Sequence, residues 1–277
     1  MHARLPKNFV LEERMERHAD ALEVAPRIYQ GLWAQACAPA GGAPFGSVKL
    51  DLGCGKGCYL VECARQEPDT LWIGVDSEPV CAVYAAQAVL ESGVRNAVIV
   101  PGRADNLASF VAPSELAALH INFPTPFPQK KRAAGRVTNL ERLLEYRELL
   151  APGAALTLRT DSQPLFDFSV RQLAGAGYDT VWASDDTRRD HPEIPDSEYE
   201  RKLSAEGATV YGIRATVGAM PSEQQLAAAR ELPQSLFDYL PENLFEGDYI
   251  PHGMSYAITV MRNRRANAEL RAASRAK

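Results

Sequence analysis

The segment LDLGCGKG at positions 50–57 sets an acid, Asp51, ahead of three glycines, Gly53, Gly55 and Gly57, and leads into a stretch of helix formers. Glycines let the backbone turn through left-handed conformations and come close to a ligand. The next apolar run, LWIGVD, ends on Asp76, whose carboxylate can accept from both hydroxyls of a ribose. A dinucleotide-binding loop reads G-x-G-x-x-G, and its third glycine would fall where Cys58 stands. Such a loop holds a pyrophosphate at the helix N-terminus, and the charge of Asp51 would repel it. The same carboxylate pairs with an ammonium, directly or through water. An acid before the glycines and another after the following run therefore point to S-adenosylmethionine rather than NAD; a glycine turn without a ligand is the plain alternative.

The adenine of that ligand is expected beyond the run VIV at 98–100, among Arg103, Ala104 and Asp105. Asp105 either accepts from the adenine amino group or caps the short helix that follows it. Asn122, at the end of the fourth run, completes the expected cofactor-binding set. The loop after that run, INFPTPFPQKKRAAGR, should present the acceptor. Pro124, Pro126 and Pro128 stiffen it, while Phe123 and Phe127 offer ring faces on which a base can stack for about 1–3 kcal/mol. Lys130, Lys131, Arg132 and Arg136 are then candidates for phosphate contacts, against the alternative of a rigid surface loop with a basic rim.

Elements that position these residues can be read from the hydrophobic pattern. Residues 11–37 have helical composition, with Leu11, Met15, Leu22, Ile28 and Leu32 at roughly helical spacing and a break at Pro26. The stretch APAGGAPFG at 38–46 is a linker. From Ser47 short apolar runs alternate with helical segments, which predicts a Rossmann-like, doubly wound, mostly parallel α/β sheet of about seven strands. Asn139 is placed to cap one of its helices, and another is expected from Gln163 to Ala174. The expected division is an N-terminal helical segment and linker at 1–46, a ligand-binding domain at 47–217, and a C-terminal extension with a basic tail at 218–277. Within that extension a helix is predicted at 222–230 and a last strand at MSYAITVM.

At 277 residues, with 46% hydrophobic and 23% charged residues, the chain has enough apolar material for its own core. No apolar stretch approaches the roughly 18 residues of a membrane span, and the first ten residues lack the apolar segment of a signal peptide. A cytoplasmic protein with no membrane partner is expected. Cys37, Cys54, Cys58, Cys63 and Cys81 read as free thiols, and the five histidines are too scattered to suggest a metal. The net charge of −5 disfavours an RNA partner in bulk, but basic residues gather at Arg4 and Lys7, at 130–136, and from Arg262 to Lys277.

The start ARLPKN, the loop DLGCGKG, the segment NFPTPFPQKKRAAGRVT, the stretch RTDSQPLFDFS and SEYERKLSAEGATVYG, in that order, resemble the tRNA (guanine-N7)-methyltransferases. The resemblance spans most of residues 1–215. It implies a class I methyltransferase fold, S-adenosylmethionine as cofactor, and a guanosine of the tRNA variable loop as target; the sequence leaves open a monomer or a homodimer. Asp51 and Asp76 would hold the cofactor, at positions where the family commonly has Glu. Asp161 matches a substrate-binding aspartate, although it is also placed to cap the helix at Gln163. Ser197, Glu198, Tyr199 and Glu200 match the Thr-Glu-Tyr-Glu motif that grips the guanosine, and Ser197 with Glu200 also reads as a capping box.

The chain departs from the family at the reaction centre. The expected catalytic aspartate is Thr125, and the expected substrate lysine is Gln129. An acidic or amide position falls on Arg103, and two basic positions fall on Ala134 and Gly135. Thr125 and Asp161 are the residues assigned to catalysis: Thr125 offers a hydroxyl to the base, and Asp161 or Glu200 is left to supply a carboxylate. A paralogue with a changed acceptor, and a catalytically silent RNA-binding subunit, are the alternatives these substitutions raise.

Overall fold

The computed structural model describes residues 9–37, 44–240 and 249–275. Seven apolar runs form strands: β1 (Ser47–Leu52), β2 (Thr70–Asp76), β3 (Ala97–Pro101), β4 (Leu116–Asn122), β5 (Leu150–Thr160), β6 (Tyr178–Ser184) and β7 (Tyr211–Val217). They lie in one sheet of order β3-β2-β1-β4-β5-β7-β6. β1 to β5 pair in parallel, and β7 runs antiparallel to both of its neighbours. This is the expected doubly wound, mostly parallel sheet of seven strands. The chain leaves β1 toward β3 and returns on its other side to β4, so a crevice opens at the carboxyl ends of β1 and β4.

The N-terminal cover is α1 (Leu11–Arg17), two single 3₁₀ turns, and α2 (Trp33–Ala36). The longer helix expected over this segment is broken more often than Pro26 requires, and Ile28 and Leu32 are exposed. Tertiary anchors outweigh the apolar spacing. Trp33 is fully buried and its indole N–H donates to the Phe110 carbonyl at 2.7 Å, while the Glu115 carboxylate accepts from the N–H groups of Gly31 and Trp33.

One face of the sheet carries α3 (Cys58–Gln66) and α4 (Pro79–Ser92), packed through Leu60, Ala64, Ala82, Ala86 and Val89 against Trp72 and Ile99. The other carries α5 (Leu140–Leu149) and α6 (Gln163–Gly175), packed through Leu143, Tyr146 and Leu173 against Leu50, Ile73, Leu119 and Leu156. Both faces are covered, which is why the central strands read as continuous apolar runs. Asn139 caps α5 as expected, its side chain accepting from the Arg142 N–H. Between β6 and β7 come α7 (Thr187–Asp190) and α8 (Glu198–Ala205).

After β7 follow α9 (Glu223–Arg230), a 3₁₀ turn at Leu236–Tyr239, and α10 (Ser255–Arg275). The strand expected at MSYAITVM is therefore the start of a helix. Its buried residues, Met254, Ala257 and Ile258, stand at i, i+3 and i+4, a helical spacing that the β-branched content obscured. They join Leu165 and Phe168 of α6, and Leu236 and Tyr239, in a separate apolar cluster that fastens the extension to α6.

Candidate active site

The turn from β1 into α3 is built on three left-handed glycines, Gly53, Gly55 and Gly57, with φ of +80°, +56° and +78°. A side chain on any of them is strained, but their surroundings differ. A Cβ on Gly57 would meet the Cα and Cβ of Ala85 at 3.0 Å, so this glycine lets α3 approach α4. A Cβ on Gly53 or Gly55 would meet no protein atom within 4 Å, so there the bare backbone faces the crevice.

Asp51 is almost wholly buried beneath this turn. Burial pushes its carboxyl up to about 7, against the lowering effects of the Asn122 hydrogen bond and the Arg159 charge. A buried, poorly compensated carboxylate gains from a cationic ligand, which suits the ammonium of S-adenosylmethionine. Asp76 closes the turn: one oxygen accepts from the Gly55 N–H and the other from the Glu78 N–H, both at 2.8 Å. Each oxygen keeps a second lone pair for a ribose hydroxyl. The residues present therefore fit the cofactor.

Arg103, Ala104 and Asp105, expected around the adenine, follow β3. Arg103 is exposed and pairs at 3.2 Å with Asp105, holding that carboxyl below its usual range. Asp105 does not cap the 3₁₀ turn at Ala104–Ser109; Arg103 occupies the cap position, and its N–H donates to the Asn106 side chain. The capping alternative for Asp105 is thus excluded, and Ala104 opens the turn.

From the buried acid a polar chain crosses the strand ends. Asn122 donates to Asp51 at 3.2 Å and accepts from Arg159 at 3.0 Å, and Arg159 pairs with Glu200 at 2.6 Å with both side chains at most 2% exposed. Ser197 and Glu200 form the expected capping box, with the Glu200 N–H donating to the Ser197 hydroxyl at 3.0 Å. Glu200 therefore stands inside the protein as the partner of Arg159, and burial raises its carboxyl. Its other oxygen, Oε1, has no hydrogen-bond partner. Glu200 lines a cavity of about 370 Å³ together with Arg159, His191 and Pro195. Arg159 escaped the sequence reading; the signal was a charge at the end of an apolar strand, which a buried position tolerates only when paired.

Glu198 and Tyr199, the middle of the same motif, look the other way. Glu198 pairs with Lys202 at 2.5 Å and lies 3.9 Å from the Cys58 thiol at the start of α3. Tyr199 packs edge-on against Phe123, ring centroids 5.3 Å apart. α8 thus sits over the glycine turn and the acceptor loop together.

The acceptor loop carries strain where its rings are. Phe123 and Phe127 adopt φ of +50° and +44°, conformations that bulky residues rarely take and that cost about 1–3 kcal/mol each. Arg136 supports the second of them. It is 1% exposed, donates to the carbonyls of Pro126, Phe127 and Gln234 at 2.7–3.2 Å, and lies 4.5 Å from the centre of the Phe168 ring. Its expected phosphate contact is therefore corrected: the guanidinium is spent on loop carbonyls, and burial lowers its pKa to about 10. Lys130, Lys131 and Arg132 are exposed, as a phosphate rim requires. Arg132 also lies 4.1 Å over the Phe127 ring, covering one of the faces expected to receive a base. Thr125 is exposed and Gln129 half-buried at the start of the 3₁₀ turn Lys130–Gly135.

Asp161 follows β5. The cap of α6 is Ser162, whose hydroxyl accepts from the Leu165 N–H, so the capping alternative for Asp161 falls. Its Oδ2 instead accepts from the Tyr249 hydroxyl at 2.5 Å and the His252 N–H at 3.1 Å. Neither partner was singled out in the sequence, because nothing local marks a contact across 88 or 91 residues.

All five cysteines are free. Among the described residues no group of three or more His, Cys, Asp or Glu is placed to hold a metal ion, and no helix is long and apolar enough to cross a membrane. Arg4 and Lys7 lie outside the described residues.

The family model described as "Putative methyltransferase" matches residues 46–213. The tRNA (guanine-N(7)-)-methyltransferase of Levilactobacillus brevis is 31% identical over 195 residues, covering 70% of this chain and 88% of that protein. Those of Geobacillus kaustophilus and Streptococcus thermophilus are 32% and 28% identical, over 58% and 76% of this chain and 75% and 98% of theirs. The match takes in the glycine turn, the acceptor loop, Asp161 and α8 in one continuous order. On these grounds the chain belongs to the tRNA (guanine-N7)-methyltransferase family.

Proposed function

We propose that the protein transfers the methyl group of S-adenosylmethionine to N7 of a guanosine in the variable loop of tRNA. The observation that carries this is the placement of Asp51, Asn122 and Asp161 at the carboxyl ends of β1, β4 and β5, beside a loop held in strained form by Arg136. The cofactor supplies an electrophilic methyl on a sulfonium. Asp51 and Asp76, with the backbone of Gly53 and Gly55, bind and orient it. Asn122 fixes Asp51 and is itself fixed by Arg159.

Guanine N7 carries an in-plane lone pair, so no base is needed to deprotonate it, and alignment is most of the catalysis. Positive charge develops on the imidazole ring of the base during transfer. A nearby carboxylate stabilises that state more than the ground state, and with Thr125 in place of an aspartate the role passes to Asp161. Thr125 keeps a hydroxyl for the base, Gln129 and Tyr199 border the acceptor, and Lys130, Lys131 and Arg132 meet the phosphates. Residues 47–217 are assigned as the catalytic unit and 218–277 as an extension, in a protein that works on tRNA in the cytoplasm. The test is incubation with labelled S-adenosylmethionine and unmodified tRNA, followed by digestion to nucleosides. Label in 7-methylguanosine is expected; cofactor binding by calorimetry without any label in RNA would overturn the proposal.

A further inference from the structure

The extension touches the acceptor site at several points. Tyr249 and the His252 N–H both bond Oδ2 of Asp161, and no described donor reaches its Oδ1. A Cβ on Gly253, at φ +78°, would lie 3.2 Å from the ring of Pro126, so this turn is seated against the acceptor loop. The Leu236 N–H donates to the Pro128 carbonyl at 3.0 Å, and Gln234 supplies a carbonyl to Arg136. Met254, Ala257 and Ile258 lock the segment onto Leu165 and Phe168, four and seven residues after Asp161. The turn that follows Tyr249 is therefore held against both the acceptor loop and α6.

We infer that Tyr249 is a positioning residue for methyl transfer: the extension completes the acceptor site by pinning one oxygen of Asp161, which aims the other at the guanine. The inference rests on the proposed reading of Asp161 as the acceptor-binding carboxylate. The terminal torsion of an aspartate is broad and roughly two-fold, and two donors on Oδ2 fix it. The extension is then a wall of the active site.

The test compares Tyr249→Phe, Asp161→Asn and the double variant in the full chain, measuring steady-state methylation of tRNA, cofactor affinity and thermal midpoint. Tyr249→Phe should lower kcat/KM for tRNA about tenfold, the scale of one charge-assisted hydrogen bond, with cofactor affinity and midpoint unchanged. On the Asp161→Asn background it should add nothing, because the bond acts only through the carboxylate. Tyr256→Phe, an exposed tyrosine of the same extension, serves as the silent control. Full activity of Tyr249→Phe would overturn the inference alone, as would faster turnover, which would make the contact a block. If the unaltered protein transfers no methyl group to tRNA, the reading of Asp161 falls with it.

Discussion

Burial of a single acid governs how the cofactor is held. With Asp51 pushed up to about 7, the carboxyl keeps its proton over a range where an ordinary aspartate is ionised. An ammonium ligand binds only the ionised form, so affinity for S-adenosylmethionine should fall as pH drops below about 7. Calorimetry should find Kd roughly tenfold weaker at pH 6 than at pH 8, and Asp51→Asn should flatten the dependence. A flat profile in the unaltered protein would remove Asp51 as the partner. For folding without ligand, the raised pKa stabilises most below the ordinary carboxylate range, near 4, and that contribution is lost as pH rises through about 7. Thr125 makes the complementary prediction. Thr125→Asp restores a preorganised charge beside the acceptor and should raise kcat by about ten- to a hundredfold; an unchanged or lower kcat would mean that Asp161 already suffices.

Among the elements, the acceptor loop separates two kinds of basic residue that look alike in the sequence. Arg136 is an internal strut, so Arg136→Met should leave the salt dependence of tRNA binding alone and cost about 2–4 kcal/mol of stability through unpaired carbonyls, read as a lower denaturation midpoint. Ala at Lys130, Lys131 and Arg132 should do the reverse, reducing the slope of log affinity against log salt by up to about 3 with little change in stability. A reduced slope for the Arg136 variant would return it to the phosphate rim. The strands and the glycine turn were legible because parallel-strand burial and left-handed glycines leave local marks: runs such as LWIGVD, and Gly53 and Gly55 beside Asp51. What escaped was tertiary. Nothing near Arg136 says that its acceptors are backbone carbonyls, one of them 98 residues away, and the spacing of Met254, Ala257 and Ile258 was masked by β-branched neighbours.

Taken whole, the molecule is a doubly wound sheet whose crevice is roofed from three directions. α8 lies over the glycine turn, the acceptor loop rises from β4, and the extension crosses to Asp161. The net charge of −5 is compatible with an RNA substrate because one group of exposed basic residues, Lys130, Lys131 and Arg132, lies in the acceptor loop itself. The most direct measurement maps the modified nucleotide. Unmodified tRNA treated with the protein and S-adenosylmethionine is reduced and cleaved with aniline, which breaks the chain at 7-methylguanosine. A single new cut in the variable loop is the predicted result; uncut tRNA, or label confined to another nucleoside, would contradict the account.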